Sequence, residues 1–397
     1  MFIITNGKIV TENSILTGYD LILKGDKIKS IVQSGELNLP NDYEIIDACG
    51  GYISPGFIDI HSDYIETMAT PRPTTLIDLE ISLKETEKVL ISNGITTMYH
   101  SLSFYKDDSF GNKKIRNPEN VKKFIELIIK SQNEEHLIRH RFHARFEIDN
   151  INQIYVLKNY IKEDKVHLVS FMDHTPGQGQ YRDLEIYKHT LKGYDNLTDS
   201  EVNGIINRHK SKERMTLDMI REVVLLAREK NISVASHDDD TKVKVKVNKE
   251  LGINISEFPI TIEVAEEAKR MGMYTIAGAP NVLLGGSHSG NLSAAEGVVK
   301  GIIDVLCSDY YPAALLHSIF ILNEQYGLDL CEMFKLVTLN PAKTVGIDGV
   351  VGSIKEGKKG DILIIEKTKD NLPIITAAFV GGDLITRTKY RTNMGNL

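Results

Sequence analysis

Residues able to hold a divalent metal ion recur through the chain. His61-Ser62-Asp63 sets an imidazole and a carboxylate two residues apart, so in an extended segment both point the same way and can share one ion. Further along stand His143-Ala144-Arg145-Phe146-Glu147, Asp173-His174, His237-Asp238-Asp239-Asp240 and Ser308-Asp309. Imidazole nitrogen and carboxylate oxygen suit zinc and related divalent ions. The chemistry such a set supports is metal-assisted hydrolysis. Each fragment alone is weak. An isolated HxD is common by chance, His143 reads equally as a core or supporting residue, and Asp238, Asp239 and Asp240 read equally as a helix N-cap cluster. Asp309 has the same alternative, as a cap for a helix near residue 313. Other chemistries lack their motifs: the sequence contains no GxxxxGK[ST], GxGxxG or GxSxG.

What joins the fragments is position, for each follows or ends a short apolar segment. Eight such segments are read as strands: Phe57 to Ile60, Ile95 to Tyr99, Phe142 to Ile148, Val166 to Met172, Ile232 to Ala235, Ile255 to Phe258, Tyr274 to Ala277 and Ile303 to Cys307. Helical patterns separate most of them, at 82–93 with Gly94 as terminator, from Asn117-Pro118 onward, and near 216–230, 261–271 and 313–326. Alternation of this kind predicts an α/β fold, a (β/α)₈ TIM barrel, whose strand ends converge on one mouth. Polar stretches near 102–117 and 174–215 interrupt the pattern after predicted strands and are expected on that face. Both ends of the chain read differently. Phe2-Ile3-Ile4, Asn6-Gly7 and Lys8-Ile9-Val10 look like a hairpin, and residues 361–365 and 374–380 are further strands. We therefore expect a small β-sandwich module built from 1–53 and 345–397, with the barrel at 54–344 inserted between.

Composition narrows the partners. The 397 residues suffice for one barrel of about 250 residues and a smaller module. A formal net charge of -7 excludes the broad basic field of a nucleic-acid or membrane-surface binder, yet metal ions and local Arg or Lys can still receive a small anionic substrate. The three cysteines, Cys49, Cys307 and Cys331, form no CxxC pair, and no stretch approaches the ~18 apolar residues of a membrane helix. A cytoplasmic protein with reduced thiols is expected, and a homo-oligomer such as a dimer is compatible with the sequence.

Pro55-Gly56-Phe57-Ile58-Asp59-Ile60-His61, followed late in the chain by Asn340-Pro341-Ala342 and the run from Gly352 to Asp361, resembles the amidohydrolase superfamily. Within it, the segments His61 to Glu66, Thr70-Pro71-Arg72-Pro73, Met172 to Gln180, Ser236 to Asp239, Glu257 to Thr261, Gly278 to Asn281, Gly285 to Asn291 and Ser308 to Tyr310 resemble the triphosphate diphosphatases of phosphonate catabolism. That resemblance implies hydrolysis of the 5-triphosphate of a ribose 1-alkylphosphonate to the 5-phosphate and pyrophosphate. The alternatives are a cyclic amidase or N-acyl amidohydrolase of the same superfamily, or a scaffold that has lost catalysis. His61, Asp63, Glu147, His174, His237 and Asp309 are expected around one or two divalent ions, zinc or manganese. Most of the superfamily carries HxH on the first strand and many members a bridging lysine on the fourth. Here the first strand has HxD and the fourth ends in Asp173-His174, of which only one can face inward. The renal-dipeptidase branch resembles this variant and makes Glu147 the bridging candidate. Asp309 is expected to be the general base, the role of the strand-eight aspartate across the superfamily. Arg72, stiffened between prolines, and the donors Ser287, His288 and Asn291 are expected to bind phosphate.

Overall fold

The computed structural model describes residues 1–36, 43–72, 75–103, 114–177, 179, 185, 188, 198–286 and 291–390. The chain enters through seven short strands: β1 (Phe2–Thr5), β2 (Lys8–Val10), β3 (Ile15–Leu16), β4 (Tyr19–Lys24), β5 (Lys27–Gln33), β6 (Glu44–Asp47) and β7 (Tyr52–Pro55). Eight parallel strands follow: β8 (Phe57–Ser62), β9 (Ile95–Ser103), β10 (Arg139–Glu147), β11 (Leu168–Met172), β12 (Ser233–His237), β13 (Ile255–Glu257), β14 (Tyr274–Gly278) and β15 (Val305–Cys307). The chain returns through β16 (Ile362–Lys367), β17 (Pro373–Val380) and β18 (Asp383–Arg387).

The terminal strands make two sheets, ordered β5-β4-β1-β6 and β18-β17-β16-β7-β2-β3. The second sheet unites both ends of the chain. Ile4, Leu21, Leu23 and Ile46 of one sheet meet Ile9, Ile53, Ile362 and Phe379 of the other in a shared apolar layer. The expected hairpin at Asn6-Gly7 is not formed. β1 pairs with β4 and β6, whereas β2 pairs with β3 and β7, so the chain crosses between sheets at this point. Asn6 takes the left-handed turn, with φ 52°. Gly7 answers a packing demand, since a Cβ there would lie 2.5 Å from Ile53 Cδ1 and 2.9 Å from Ala48 Cβ.

All eight barrel strands form where the apolar segments lie, and each pairs with its neighbour in sequence from β8 to β15. Strands covered on both faces should be continuously apolar, and β8, β9, β11, β13 and β15 are buried along their whole length. Ile58, Ile60, Tyr99, Leu168, Ala235, Ile255, Ile276 and Val305 cluster together, while Phe142, Ala144, Phe146, Val169 and Val234 pack with residues of the surrounding helices. The ring is joined at the mouth by a bridge between Ser62 and Asp309. The Asp309 N–H donates to the His61 carbonyl at 3.1 Å, and the Asp63 N–H donates to the Asp309 carbonyl at 2.9 Å. The closing seam thus carries three of the residues singled out for chemistry.

Helices lie close to their expected ranges, at Leu79–Ser92, Pro118–Ser131, Leu217–Glu229, Ile262–Arg270 and Ala314–Tyr326. Sequence reading missed several others, among them Ile154–Lys162, Asp199–Ser211 and Lys242–Leu251. The short helix Tyr64–Ala69, which leads away from Asp63, is tied down by Glu66. The Glu66 carboxylate is fully buried and accepts two hydrogen bonds from Arg116, each 2.8 Å. Glu66→Gln removes the charge and leaves a largely buried guanidinium poorly matched, which should cost about 3 kcal/mol of stability. The urea midpoint should fall accordingly; an unchanged midpoint would show that this pair does not anchor the helix.

Candidate metal centre

Among the described residues, two groups of donors come together at the barrel mouth, with the atoms of each within 4.8 Å of one another. One comprises His61, His237 and Glu257; the other comprises His174, His237 and Asp238. His237 belongs to both. Five buried side-chain atoms among the described residues lack a hydrogen-bond partner, and three of them belong here: both ring nitrogens of His237 and Oδ2 of Asp238. Buried polar atoms without partners are costly, so this concentration points to a ligand that the protein is built to hold. Neutral nitrogen and anionic oxygen are the donors a zinc-like ion takes, so the residues suit a divalent metal.

Local backbone explains how neighbouring residues can share one site. Side chains alternate along a strand, so His237 and Asp238 should diverge. Asp238 instead adopts φ 52°, a left-handed turn directly after β12. Its N–H still continues the ladder to the Glu257 carbonyl at 2.9 Å, but its side chain turns back to leave Oδ2 2.9 Å from His237 Nδ1, a close contact that does not form a hydrogen bond. Phe258 (φ 53°) and Asp309 (φ 56°) make the same departure near the ends of β13 and β15. Such conformations cost of order 1–3 kcal/mol for a non-glycine residue and gather at functional sites. The aspartates are not helix caps. Thr241 caps the helix after Asp240 by accepting from the Lys244 N–H, and Ala313 stands at the N-cap of the helix after Asp309.

A second set of side chains fixes the donors. Glu257 is fully buried; its Oε1 lies 3.2 Å from His61 Nδ1, and its Oε2 accepts from the Ser170 hydroxyl. His143 lies beneath, with Nδ1 2.9 Å from Ser101 Oγ and Nε2 2.5 Å from Ser170 Oγ. Both its nitrogens are engaged, which suits support of Glu257 through Ser170 rather than direct contact with an ion. His174 faces the site, with Nδ1 2.5 Å from Glu147 Oε1 and Nε2 3.9 Å from Asp238 Oδ2. Asp173 is turned to its own backbone, accepting from the Thr175 N–H at 3.1 Å. Of these two residues, His174 is the one that enters a donor group.

Burial sets the protonation of the cluster. Burial first, and then the Arg145 charge, hold the His61 imidazole well below its usual value, so the ring is neutral and has a lone pair for an ion. Burial likewise brings His143 down to about 3. Burial works to raise Asp238, but His237, His174 and Lys244 hold it below the usual range, so it is anionic. Burial, with the Asp63 charge adding to it, pushes Asp309 up to about 6.

Of the six residues expected around metal, His61, His174 and His237 enter the two donor groups. Asp63, Glu147 and Asp309 stand beside them: Glu147 holds the His174 ring, and Asp63 and Asp309 meet at the closing seam. Glu257 and Asp238 join the groups in addition. Glu257 was hidden as the one charge in the segment Ile255 to Phe258, although a carboxylate at a strand end was a usable signal. Arg72 is exposed in a turn closed by Thr75, whose hydroxyl accepts from the Arg72 N–H at 3.2 Å and donates to its carbonyl at 3.0 Å. Asn291 lies just ahead of the helix Ala294–Val299, in a loop that the Asn281 side chain holds through Leu292 and Ala294. Ser287 and His288 fall outside the described residues.

Known proteins resemble this chain in sequence and in fold. The sequence matches the model of the amidohydrolase family over residues 182–386. It is 34% identical to alpha-D-ribose 1-methylphosphonate 5-triphosphate diphosphatase of Escherichia coli (strain K12) over 375 residues, 93% of this chain and 96% of that one. Among solved structures it resembles N-acetylglucosamine-6-phosphate deacetylase from Pasteurella multocida, with a TM-score of 0.62 at 16% identity over 98% of this chain and 100% of that one. Molinate hydrolase superposes with a TM-score of 0.67 at 13% identity, covering 100% of this chain and 99% of that one. At such identities these two structures speak for the fold alone.

Proposed function

The chain belongs to the amidohydrolase family, and on that premise we propose that it is a metal-dependent diphosphatase that converts the 5-triphosphate of a ribose 1-alkylphosphonate to the 5-phosphate and pyrophosphate. The observation that carries this reading is the near end-to-end likeness to the Escherichia coli diphosphatase, which the two donor groups at the barrel mouth accompany. His61, His237 and Glu257, with His174 and Asp238, would hold one or two divalent ions, zinc or manganese. When bound, such an ion supplies Lewis acidity that acidifies water and offsets phosphoryl charge.

The remaining steps belong to the protein. Glu257 and Glu147 fix the rings of His61 and His174. Asp309, at the seam beside His61 and Asp63, takes the proton that the attacking water loses as the new oxygen–phosphorus bond forms. The α–β anhydride bond breaks, and the electron pair leaves with pyrophosphate. A carboxylate beside a divalent ion stays ionised and can accept that proton. Asp63, Arg72, Ser287, His288 and Asn291 complete the proposed surroundings, with the last four assigned to the outer phosphates.

The test compares kcat/KM of purified protein for ribose 5-triphosphates with and without a 1-phosphonate against cyclic and N-acyl amides. Preference for the phosphonate-bearing triphosphate, with pyrophosphate released, is expected. Release of ammonia or a free amine, with triphosphates untouched, would place the chain with the amide hydrolases of its family.

A further inference from the structure

Resting on the triphosphate reading above, we propose that Arg145 is a substrate-binding residue whose guanidinium grips the phosphoryl group under attack. Its position follows from alternation along β10. Phe142, Ala144 and Phe146 pack into the helical layer, so His143, Arg145 and Glu147 share the opposite face. His143 contacts Glu257 through Ser170, and Glu147 contacts His174. Arg145 therefore enters the barrel between two residues that both reach the donor cluster.

Among the described residues, Arg145 has no counter-ion. Two other arginines of this part of the barrel are paired, Arg116 with Glu66 and Arg139 with Asp361. Arg145 is half-buried, and among the described residues its hydrogen-bond partner is the Met172 sulfur, 3.2 Å from Nε. A thioether is a weak acceptor and carries no charge. The electrostatics agree with the placement, because the Arg145 charge is felt at His61, His143 and Asp309. A guanidinium here would repel a divalent ion held by the same cluster. An anion shared by both removes that conflict. Planar, bidentate donors match the oxygens of a phosphoryl group. Arg72 lies exposed in its turn, whereas Arg145 stands among the residues that would act on the reacting phosphorus.

Titration calorimetry with inorganic tripolyphosphate tests this on wild type, Arg145→Ala and Arg145→Gln, each metal-loaded and chelator-treated. Both variants should keep wild-type metal content and bind tripolyphosphate about 10- to 100-fold more weakly. The same ratio should persist without metal, which separates the arginine from the ion, and added guanidinium should restore part of the affinity to Arg145→Ala. Failure of the wild type itself to bind tripolyphosphate would overturn this assignment together with the reading on which it rests. Wild-type binding matched within about twofold by both variants would overturn the assignment alone. Loss of fold or metal in both variants would make the role of Arg145 structural and end the proposal.

Discussion

Asp309→Asn should lower turnover by about 10²-fold or more while leaving the fold intact and metal bound. The substitution keeps size and most hydrogen bonding but removes the basic carboxylate. Asparagine tolerates the left-handed conformation that residue 309 adopts, with φ 56°, so the seam to His61 and Asp63 should survive. That makes the variant a test of chemistry rather than of folding. A well-folded, metal-loaded Asp309→Asn protein with near wild-type turnover would remove Asp309 from the role of general base.

His237→Ala should have a larger effect. His237 is common to both donor groups, and its two ring nitrogens are buried without hydrogen-bond partners. Removing it deletes a donor from each group and leaves Asp238 Oδ2 facing a void. We expect elemental analysis to show loss of bound metal and turnover to fall by about 10³-fold or more, since metal binding supplies several kcal/mol of charge stabilisation. Wild-type metal content with little change in turnover would show that the ion, if needed, is held elsewhere.

The two variants probe parts of the site that were unequally legible in the sequence. Apolar segments buried on both faces announced the eight strands, and polar residues at their ends announced the mouth. His61, His174 and His237 could be found because a histidine at a strand end is an unusual residue in a plain position. Asp238 could not be distinguished from a helix cap, because its role depends on a left-handed backbone angle that breaks the alternation on which strand reading relies. Glu257 was concealed by its apolar neighbours, and only the packing of β13 against β12 shows that it reaches His61. The hairpin expected at Asn6-Gly7 failed for a related reason. The dipeptide does mark a reversal in backbone angle, but nothing local says that β1 and β2 will be claimed by different sheets. Arg145 passed unremarked between His143 and Glu147, since its want of a counter-ion among the described residues is visible only in the folded protein.

If the barrel mouth breaks a phosphoanhydride bond and releases pyrophosphate, phosphorus-31 NMR will show it directly. Purified metal-loaded protein is mixed with ribose 1-methylphosphonate 5-triphosphate and the products are followed without coupling enzymes. Equal amounts of pyrophosphate and ribose 1-methylphosphonate 5-phosphate are expected, with the phosphonate resonance retained and no reaction in the Asp309→Asn variant on the same time scale. Orthophosphate appearing stepwise, cleavage at the phosphonate, or an unchanged triphosphate spectrum would contradict that expectation.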